Sequence, residues 1–271
     1  MKQPIFIAGA GYLGSEIATL AKNFHVTTAT KSGEGGHEAC DLSSPGQVAA
    51  LSKRIPTPEV IVHCASSGRG GAEAYREVFI EGAQNLLQSF PKSHLILTSS
   101  TSVYHQTDGS NVDETSPTEP IRETSQLLLE AEKIIIESRG TVARLAGLYG
   151  PGRSVVLRKF LDGSAVIEGS GQRTLNQIHV QDAAFAILHL ISRKLPGVFN
   201  VSDNHPLSQL ECYQGLSDYF DKPLPPTGEK NTSRKRAWTH KRVLNHKIRK
   251  TDWEPTFPQY FDALDSLNSA S

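Results

Sequence analysis

The stretch that most constrains this chain is its start, where Pro4-Ile5-Phe6-Ile7-Ala8 runs directly into Gly9-Ala10-Gly11-Tyr12-Leu13-Gly14-Ser15. The apolar run predicts a buried strand, and Glu16 to Lys22, with Ile17, Leu20 and Ala21 as an apolar stripe, predicts a helix. A buried strand that breaks into glycines and reopens as a helix is a device for holding a pyrophosphate. The first glycine allows the tight turn, the second lets the backbone approach the phosphates, and the third lets the helix lie close on the strand. Negative charge is then favoured at the helix N-terminus by N–H groups and the dipole. Gly9, Gly11 and Gly14, with Tyr12 and Leu13 between them, are therefore candidate contacts to a dinucleotide.

The end of the next strand bears on which dinucleotide. His25-Val26-Thr27-Thr28-Ala29-Thr30 is rich in β-branched residues and predicts a strand. About twenty positions beyond the first glycine such a unit meets the adenosine ribose, where an acid bonds the 2′-hydroxyl and a cation accommodates a 2′-phosphate. Here that count lands on Thr30-Lys31-Ser32, with no acid until Glu34. The reading favours NADP over NAD, with Lys31 as the phosphate contact; the alternative is a solvated lysine at a strand end.

Alternation of strands and helices continues along the chain. Cys40-Asp41-Leu42 reads as a short strand remnant, Gln47 to Arg54 as a polar helix, and Val60-Ile61-Val62-His63-Cys64-Ala65 as a strand with the glycine-rich tip Ser66 to Gly71. A helix from about Ala72 to Phe90 carries Val78, Phe79, Leu86 and Leu87 inward, and the strand His94 to Thr98 leads into Ser99-Ser100-Thr101-Ser102. Residues 105–120 form a polar loop able to move over a site, followed by an apolar helix, Gln126 to Ile136, and a strand, Thr141 to Leu145. Beyond it the pattern loosens, with a helix near Val180 to Leu190 and a strand at Val198 to Val201. The fold class is α/β: a Rossmann-type doubly wound parallel sheet with a small irregular C-terminal substrate region. Residues 1–150 are mainly the dinucleotide-binding domain. Residues 151–271 mainly bind substrate, with some elements returning to the sheet.

Composition excludes several classes. Lys plus Arg and Asp plus Glu number 28 each among 271 residues, a balance that argues neither for nucleic acid nor for an acidic partner, and no nucleic acid is expected. Cys40, Cys64 and Cys212 lie far apart without metal-ligand spacing, so they read as reduced thiols in a cytoplasmic protein without a metal site. No secretory signal and no apolar run of about 18 residues is found, so no membrane association is expected. One segment is unbalanced: Lys230 to Lys250 holds nine Lys or Arg and no acid. It reads first as a solvated surface, next as a site for a phosphorylated or nucleotide-linked substrate, and only distantly as a contact to nucleic acid, since stacking aromatics are limited to Trp238 there.

Taken together, Gly9 to Gly14, Asp41-Leu42, His63-Cys64-Ala65, Gly82 with Asn85-Leu86-Leu87, Ser99 to Tyr104, Arg144 with Tyr149-Gly150-Pro151-Gly152, Ile178-His179-Val180-Gln181-Asp182 and Asn200-Val201-Ser202 resemble the extended short-chain dehydrogenases/reductases, the NAD-dependent epimerase/dehydratase family. The resemblance implies a nicotinamide cofactor, a small-molecule substrate and a homodimer. It places Asp41 and Leu42 near the adenine, and Cys64, Ala65 and Ser66 along the ribose and nicotinamide. Ser100 matches the family's catalytic Ser/Thr, which hydrogen-bonds the reacting oxygen.

The chain departs from that pattern at the catalytic pair. Active members carry Tyr followed four residues later by Lys, which lowers the phenol pKa from about 10. None of the seven tyrosines here has Lys at that spacing. With Glu132 as the acid closing the helix motif, Thr124 and Leu128 stand in the expected places, and Phe79 replaces an Asn on the preceding helix. The chain thus resembles the family's atypical branch. Substitutes are Tyr104, as a proton donor or a packed loop residue; Lys133, as a cofactor contact or a solvated side chain; and His63, as an acid/base or a core histidine. Arg122 and Arg153 are candidates for substrate phosphate or for surface ion pairs.

Overall fold

The structure, a computed structural model, describes residues 2–68, 70–230 and 238–268. Arg69 of the glycine-rich tip and Arg234, Lys235 and Arg236 of the basic run lie outside the described residues. The chain forms two compact units. One comprises Met1–Val103, Pro120–Arg144 and Ala184–Phe199; the other comprises Tyr104–Glu119, Leu145–Ala183 and Asn200–Ser271. Residues 104–119 thus group with the later part of the chain and 184–199 with the earlier.

The first unit is built on a seven-stranded sheet: β1 (Gln3–Ala8), β2 (Phe24–Thr30), β3 (Glu38–Ala39), β4 (Val60–His63), β5 (His94–Ser100), β6 (Thr141–Leu145) and β7 (Gly197–Val201), in the order β7-β6-β5-β4-β1-β2-β3. It has the Rossmann-like order expected of a doubly wound sheet. Central β1 runs parallel to both neighbours, Ile5 standing opposite Val26 on one side and Val60 on the other. Ile5, Phe6, Ile7 and Ala8 are all buried, because helices cover both faces of such a sheet and leave no strand face for polar residues. The helices are α1 (Tyr12–Leu20), α2 (Pro45–Ser52), α3 (Ala72–Tyr75), α4 (Gly82–Ser89), α5 (Glu123–Glu137) and, shared with the second unit, α7 (Val180–Arg193).

Two local expectations are corrected. The strand remnant lies at Glu38–Ala39 and not at Cys40-Asp41-Leu42. Cys40 still donates its N–H to the Thr30 carbonyl, but Asp41 then accepts from the N–H and hydroxyl of Ser43, an Asx-type turn that ends the extended backbone. Between α3 and α4 the helix widens into a π turn at Arg76–Glu81. That turn shifts the phase of the buried stripe: Phe79, Ile80, Ala83 and Leu86 are buried, whereas Val78 and Leu87 are only half-buried.

In the second unit short strands pair over two or three residues: Gly147–Tyr149 with Gln177–His179, Ile167–Glu168 with Thr227–Gly228, Thr174–Leu175 with Leu207–Ser208, and Asn111–Val112 with Arg242–Val243. Residues 105–120, expected as a loop, are thus tied down through Asn111–Val112. The unit's core gathers Tyr149, Leu157, Phe160, Cys212, Leu216 and Tyr260, from elements that include α6 (Val155–Leu161) and α8 (Gln209–Phe220). Among the described residues no helix is long and apolar enough to cross a membrane.

One buried ion pair sits inside the first unit. Glu132, on the inner face of α5, receives Arg144 of β6 through Nη2 at 2.6 Å and Nε at 3.1 Å, and accepts the Ser99 hydroxyl of β5 at 2.5 Å. A carboxylate so enclosed is tolerable only because the guanidinium and hydroxyl satisfy it. Glu132→Leu should therefore destabilise the chain by about 3–5 kcal/mol, and Glu132→Leu with Arg144→Leu should recover most of it, since the second change removes the stranded charge. Urea titration of both variants checks this; equal losses for the single and double variants would show that the pair is not the cause.

Candidate functional site

The three glycines after β1 serve different ends. Gly9 stands at φ +110°, where glycine is favoured, and a Cβ on it would run into the backbone of Cys64 and Ala65 just past β4. A Cβ on Gly14, in α1, would meet the Gly9 carbonyl oxygen and come within 3.1 Å of Cys64 Sγ. Gly11 is the exception: a Cβ there has nothing within 4 Å. The helix is thus pressed onto two strands through Gly9 and Gly14, while space stays open over Gly11. Gly11 is also the N-cap of α1, and no side chain caps that terminus. The positive end of the helix dipole therefore meets the open space, and a dinucleotide pyrophosphate fits this arrangement by shape and by charge.

Residues predicted on the adenosine side are brought together as a pair. Lys31 Nζ lies 2.7 Å from the Asp41 carboxylate, with the lysine side chain 79% and the aspartate 25% exposed. The Lys31 ammonium, seconded by Ser43, holds the Asp41 carboxyl below the usual range, and Asp41 in turn raises Lys31. Leu42 is buried, and its carbonyl accepts from Asn85 Nδ2 at 2.8 Å.

At the end of β4, Cys64 donates its thiol to the Gly9 carbonyl at 3.1 Å. Burial pushes that thiol up to about 12, so it packs and does not act as a nucleophile. Ala65 is half-buried and Ser66 exposed, its hydroxyl accepting from the Gly68 N–H. His63 is fully buried: Nε2 lies 2.8 Å from the Val78 carbonyl in the π turn, and its ring stacks on Phe79 with centroids 6.0 Å apart. Burial lowers its pKa to about 4, leaving a neutral ring that donates to Val78. This is the core-histidine reading.

Ser100 closes β5, and its Oγ accepts from the Ser102 N–H at 3.1 Å, which leaves the hydroxyl proton for another acceptor. Tyr104 belongs to the second unit and is fully buried. Its phenol donates to Asn200 Oδ1 at 2.9 Å, and its carbonyl accepts Lys241 Nζ at 2.8 Å, the geometry of a packed loop residue. Lys241, buried beneath it, is pulled down to about 8 by desolvation. On α5, Thr124, Leu128 and Glu132 follow one another at helical spacing: Thr124 is half-buried, Leu128 is 4% exposed and Glu132 holds Arg144. Lys133 points to solvent, with Glu137 3.8 Å away.

The two candidate arginines are not brought together within a unit. Arg122 is the half-buried N-cap residue of α5, while Arg153 is exposed in the second unit. Arg153 rims a cavity of about 540 Å³ lined also by Ser154, Val155, Leu157, Leu161 and Leu267. Among the described residues no group of three or more His, Cys, Asp or Glu could hold a metal ion. Sequence reasoning missed Lys241, which in a run of basic residues carries no mark of burial, and the Ser99 hydroxyl on Glu132, for which an acid within the apolar stripe of α5 was the available signal.

Comparison with known proteins follows the same lines. A model of the NAD dependent epimerase/dehydratase family matches residues 5–202. The fold is similar to that of a Methylobacillus flagellatus protein provisionally described as an NAD-dependent epimerase/dehydratase, at 26% identity, TM-score 0.80, and coverage of 100% of this chain and 99% of that one. It is also similar to dTDP-glucose 4,6-dehydratase of Bacillus anthracis in complex with NAD, at 17% identity, TM-score 0.81, covering 99% and 96%. A third is UDP-glucose 4-epimerase of Thermus thermophilus in complex with NAD, at 17% identity, TM-score 0.80, covering 99% and 98%. No curated protein sequence matches the chain.

Two outcomes are expected. Gly11→Ala should leave the melting temperature nearly unchanged while weakening dinucleotide binding about tenfold, whereas Gly14→Ala should destabilise the fold by about 1–3 kcal/mol. Calorimetry of both variants with NADPH checks this, and unaltered affinity in Gly11→Ala would remove the phosphates from the open space. For His63, whose pKa falls from 6.5 to about 4 in the folded chain, the unfolded state binds the extra proton, so its contribution is complete above pH 6.5 and is lost as pH falls toward 4. His63→Gln should flatten the loss of stability between pH 7 and pH 4.5, measured by denaturant midpoints; an unchanged slope would exclude His63 as its source.

Proposed function

Because the chain belongs to the NAD dependent epimerase/dehydratase family, we propose that it is an NADP-preferring oxidoreductase or epimerase-like enzyme acting on a small hydroxyl- or carbonyl-bearing substrate, such as a nucleotide sugar. The observation that carries the reading is the division among Gly9, Gly11 and Gly14, which presses α1 onto the sheet yet keeps open space at its N-terminus. Gly9, Gly11, Tyr12, Leu13 and Gly14 hold the pyrophosphate. Lys31 meets the 2′-phosphate: it is exposed, and its partner Asp41 holds it at the ends of β2 and β3. Asp41 and Leu42 lie along the adenosine, and Cys64, Ala65 and Ser66 along the ribose and nicotinamide. When bound, the nicotinamide supplies hydride transfer. Ser100, whose Oγ already accepts from Ser102, polarises the substrate oxygen by donating its own proton. Arg153, at the rim of the largely apolar cavity in the second unit, is the candidate anchor for substrate phosphate, with Arg122 as the other. A cytoplasmic homodimer is the form proposed.

A second reading is favoured by one observation. Leu128, in the place of the family's Lys, is buried, and Phe79, in the place of its Asn, is stacked on His63. Neither position leaves a polar group to lower a phenol pKa or relay a proton. This supports a protein that binds NADP(H) as a sensor or scaffold without turnover.

Titration with NADPH and NADH, followed by nicotinamide absorbance with nucleotide-linked 4-keto sugars and simple aldehydes, separates the readings. The enzyme reading expects turnover that Ser100→Ala lowers by about 10²–10⁴-fold. Tight binding without turnover across the panel favours the sensor. Lys31→Ala should erase the preference for NADPH, and equal affinities in the unmodified chain would remove Lys31 from that role.

A further inference from the structure

The basic run near the C-terminus has no part in the glycine turn, yet its described half forms one wall of a cavity of about 260 Å³. Arg242, His246 and Arg249 line it from that run, Asp203 and Asn204 from the loop after β7, and Asn111 from the facing strand. All of these residues belong to the second unit.

Its walls are fixed by hydrogen bonds. Arg242–Val243 runs parallel to Asn111–Val112, with Arg242 opposite Asn111. Buried Asn245 donates through Nδ2 to the carbonyls of Ser202 and Asp203 and to Asn204 Oδ1, at 2.8, 3.1 and 2.9 Å. Glu254 then joins the two sides, accepting Asn204 Nδ2 at 3.3 Å and Arg249 Nε at 2.8 Å. Groups held this way lose little freedom when a ligand arrives.

Charge in the cavity is unbalanced. Glu254 offsets Arg249, but no carboxylate forms a salt bridge with exposed Arg242 among the described residues. Glu211 feels Arg242 only weakly and is held chiefly by the N–H and hydroxyl of Ser208. Asp203 is the one carboxyl lining the cavity. Burial, with Asp182 and Asp262 adding to it, raises its pKa well above the usual carboxylate range. The cavity's volume lies below the ~300–1,000 Å³ of sites for drug-sized ligands.

We propose that this cavity binds the oxyanion group, phosphate or carboxylate, of a small molecule, with Arg242 as its principal contact. A guanidinium offers two parallel N–H donors that match either group, and Arg249 and His246 supply further donors at the rim. The site is independent of the dinucleotide reading and stands whether or not the chain is an enzyme.

Calorimetric titration of the full chain with inorganic phosphate, glycerol 3-phosphate and succinate, each against sodium chloride at matched ionic strength, tests it. Saturable binding of at least one probe is expected, and which one saturates distinguishes phosphate from carboxylate. Arg242→Ala should weaken that binding at least about tenfold, with Arg242→Gln as the second variant should the first fail to fold. Lys31→Ala and saturating NADPH should leave it intact. Absence of saturation with all three probes, equal binding by the Arg242 variants, or displacement by NADPH would each overturn the proposal, the last by moving the anion to the glycine turn.

Discussion

The contact on which the first unit depends is the one between Gly14 and the carbonyl of Gly9. No other side chain fits there, since a single added carbon would collide with that oxygen and crowd Cys64. Because α1 can lie so close, β1 is covered at its C-terminal end without bulk, and the strand end, the helix start and the end of β4 converge on one place. Exclusion of side chains makes this region both tightly packed and, over Gly11, open. Packing and binding are therefore two results of one choice of residue, and they part only at Gly11, where nothing in the protein fills the space.

A different economy governs α5. Along one face of α5, Thr124, Leu128 and Glu132 follow one another, the first half-buried and the other two buried. Glu132 is enclosed by Arg144 and Ser99, while Leu128, one turn earlier, is apolar and buried. A buried ion pair resists replacement of either member singly, since the remaining charge would be stranded.

Much of the first unit was legible because its central strands are buried on both faces and so read as unbroken apolar runs; Ile5 to Ala8 and Val60 to Val62 are examples. The glycine turn was legible because each glycine answers a separate steric demand. Less legible was the helix after β4, where the π turn at Arg76–Glu81 breaks the regular period that pattern reading assumes, and Val78 and Leu87 come out half-buried. The second unit was the least legible. Its strands are two or three residues long and pair with partners far away in sequence, as Asn111–Val112 does with Arg242–Val243, too short for any periodicity to register. Tyr104 and Lys241 show the same limit at the level of single residues. A buried phenol and a buried ammonium look like their exposed counterparts until their partners, 96 and 137 residues away, are known.

The order of strands in the sheet also bears on how the chain is made. β1 to β5 all emerge within the first hundred residues, and every pair among them can form from that part of the chain alone. β6, which must cover the open edge of β5, is synthesised some forty residues later, and β7 only after most of the second unit's middle segment has left the ribosome. During that interval the nascent sheet carries an unpaired apolar edge, the feature by which partly made parallel sheets associate with one another. The polar segment 104–119 follows β5 closely, so the first chain to emerge beside that edge is one rich in hydroxyls and acids and poorly suited to pair with it.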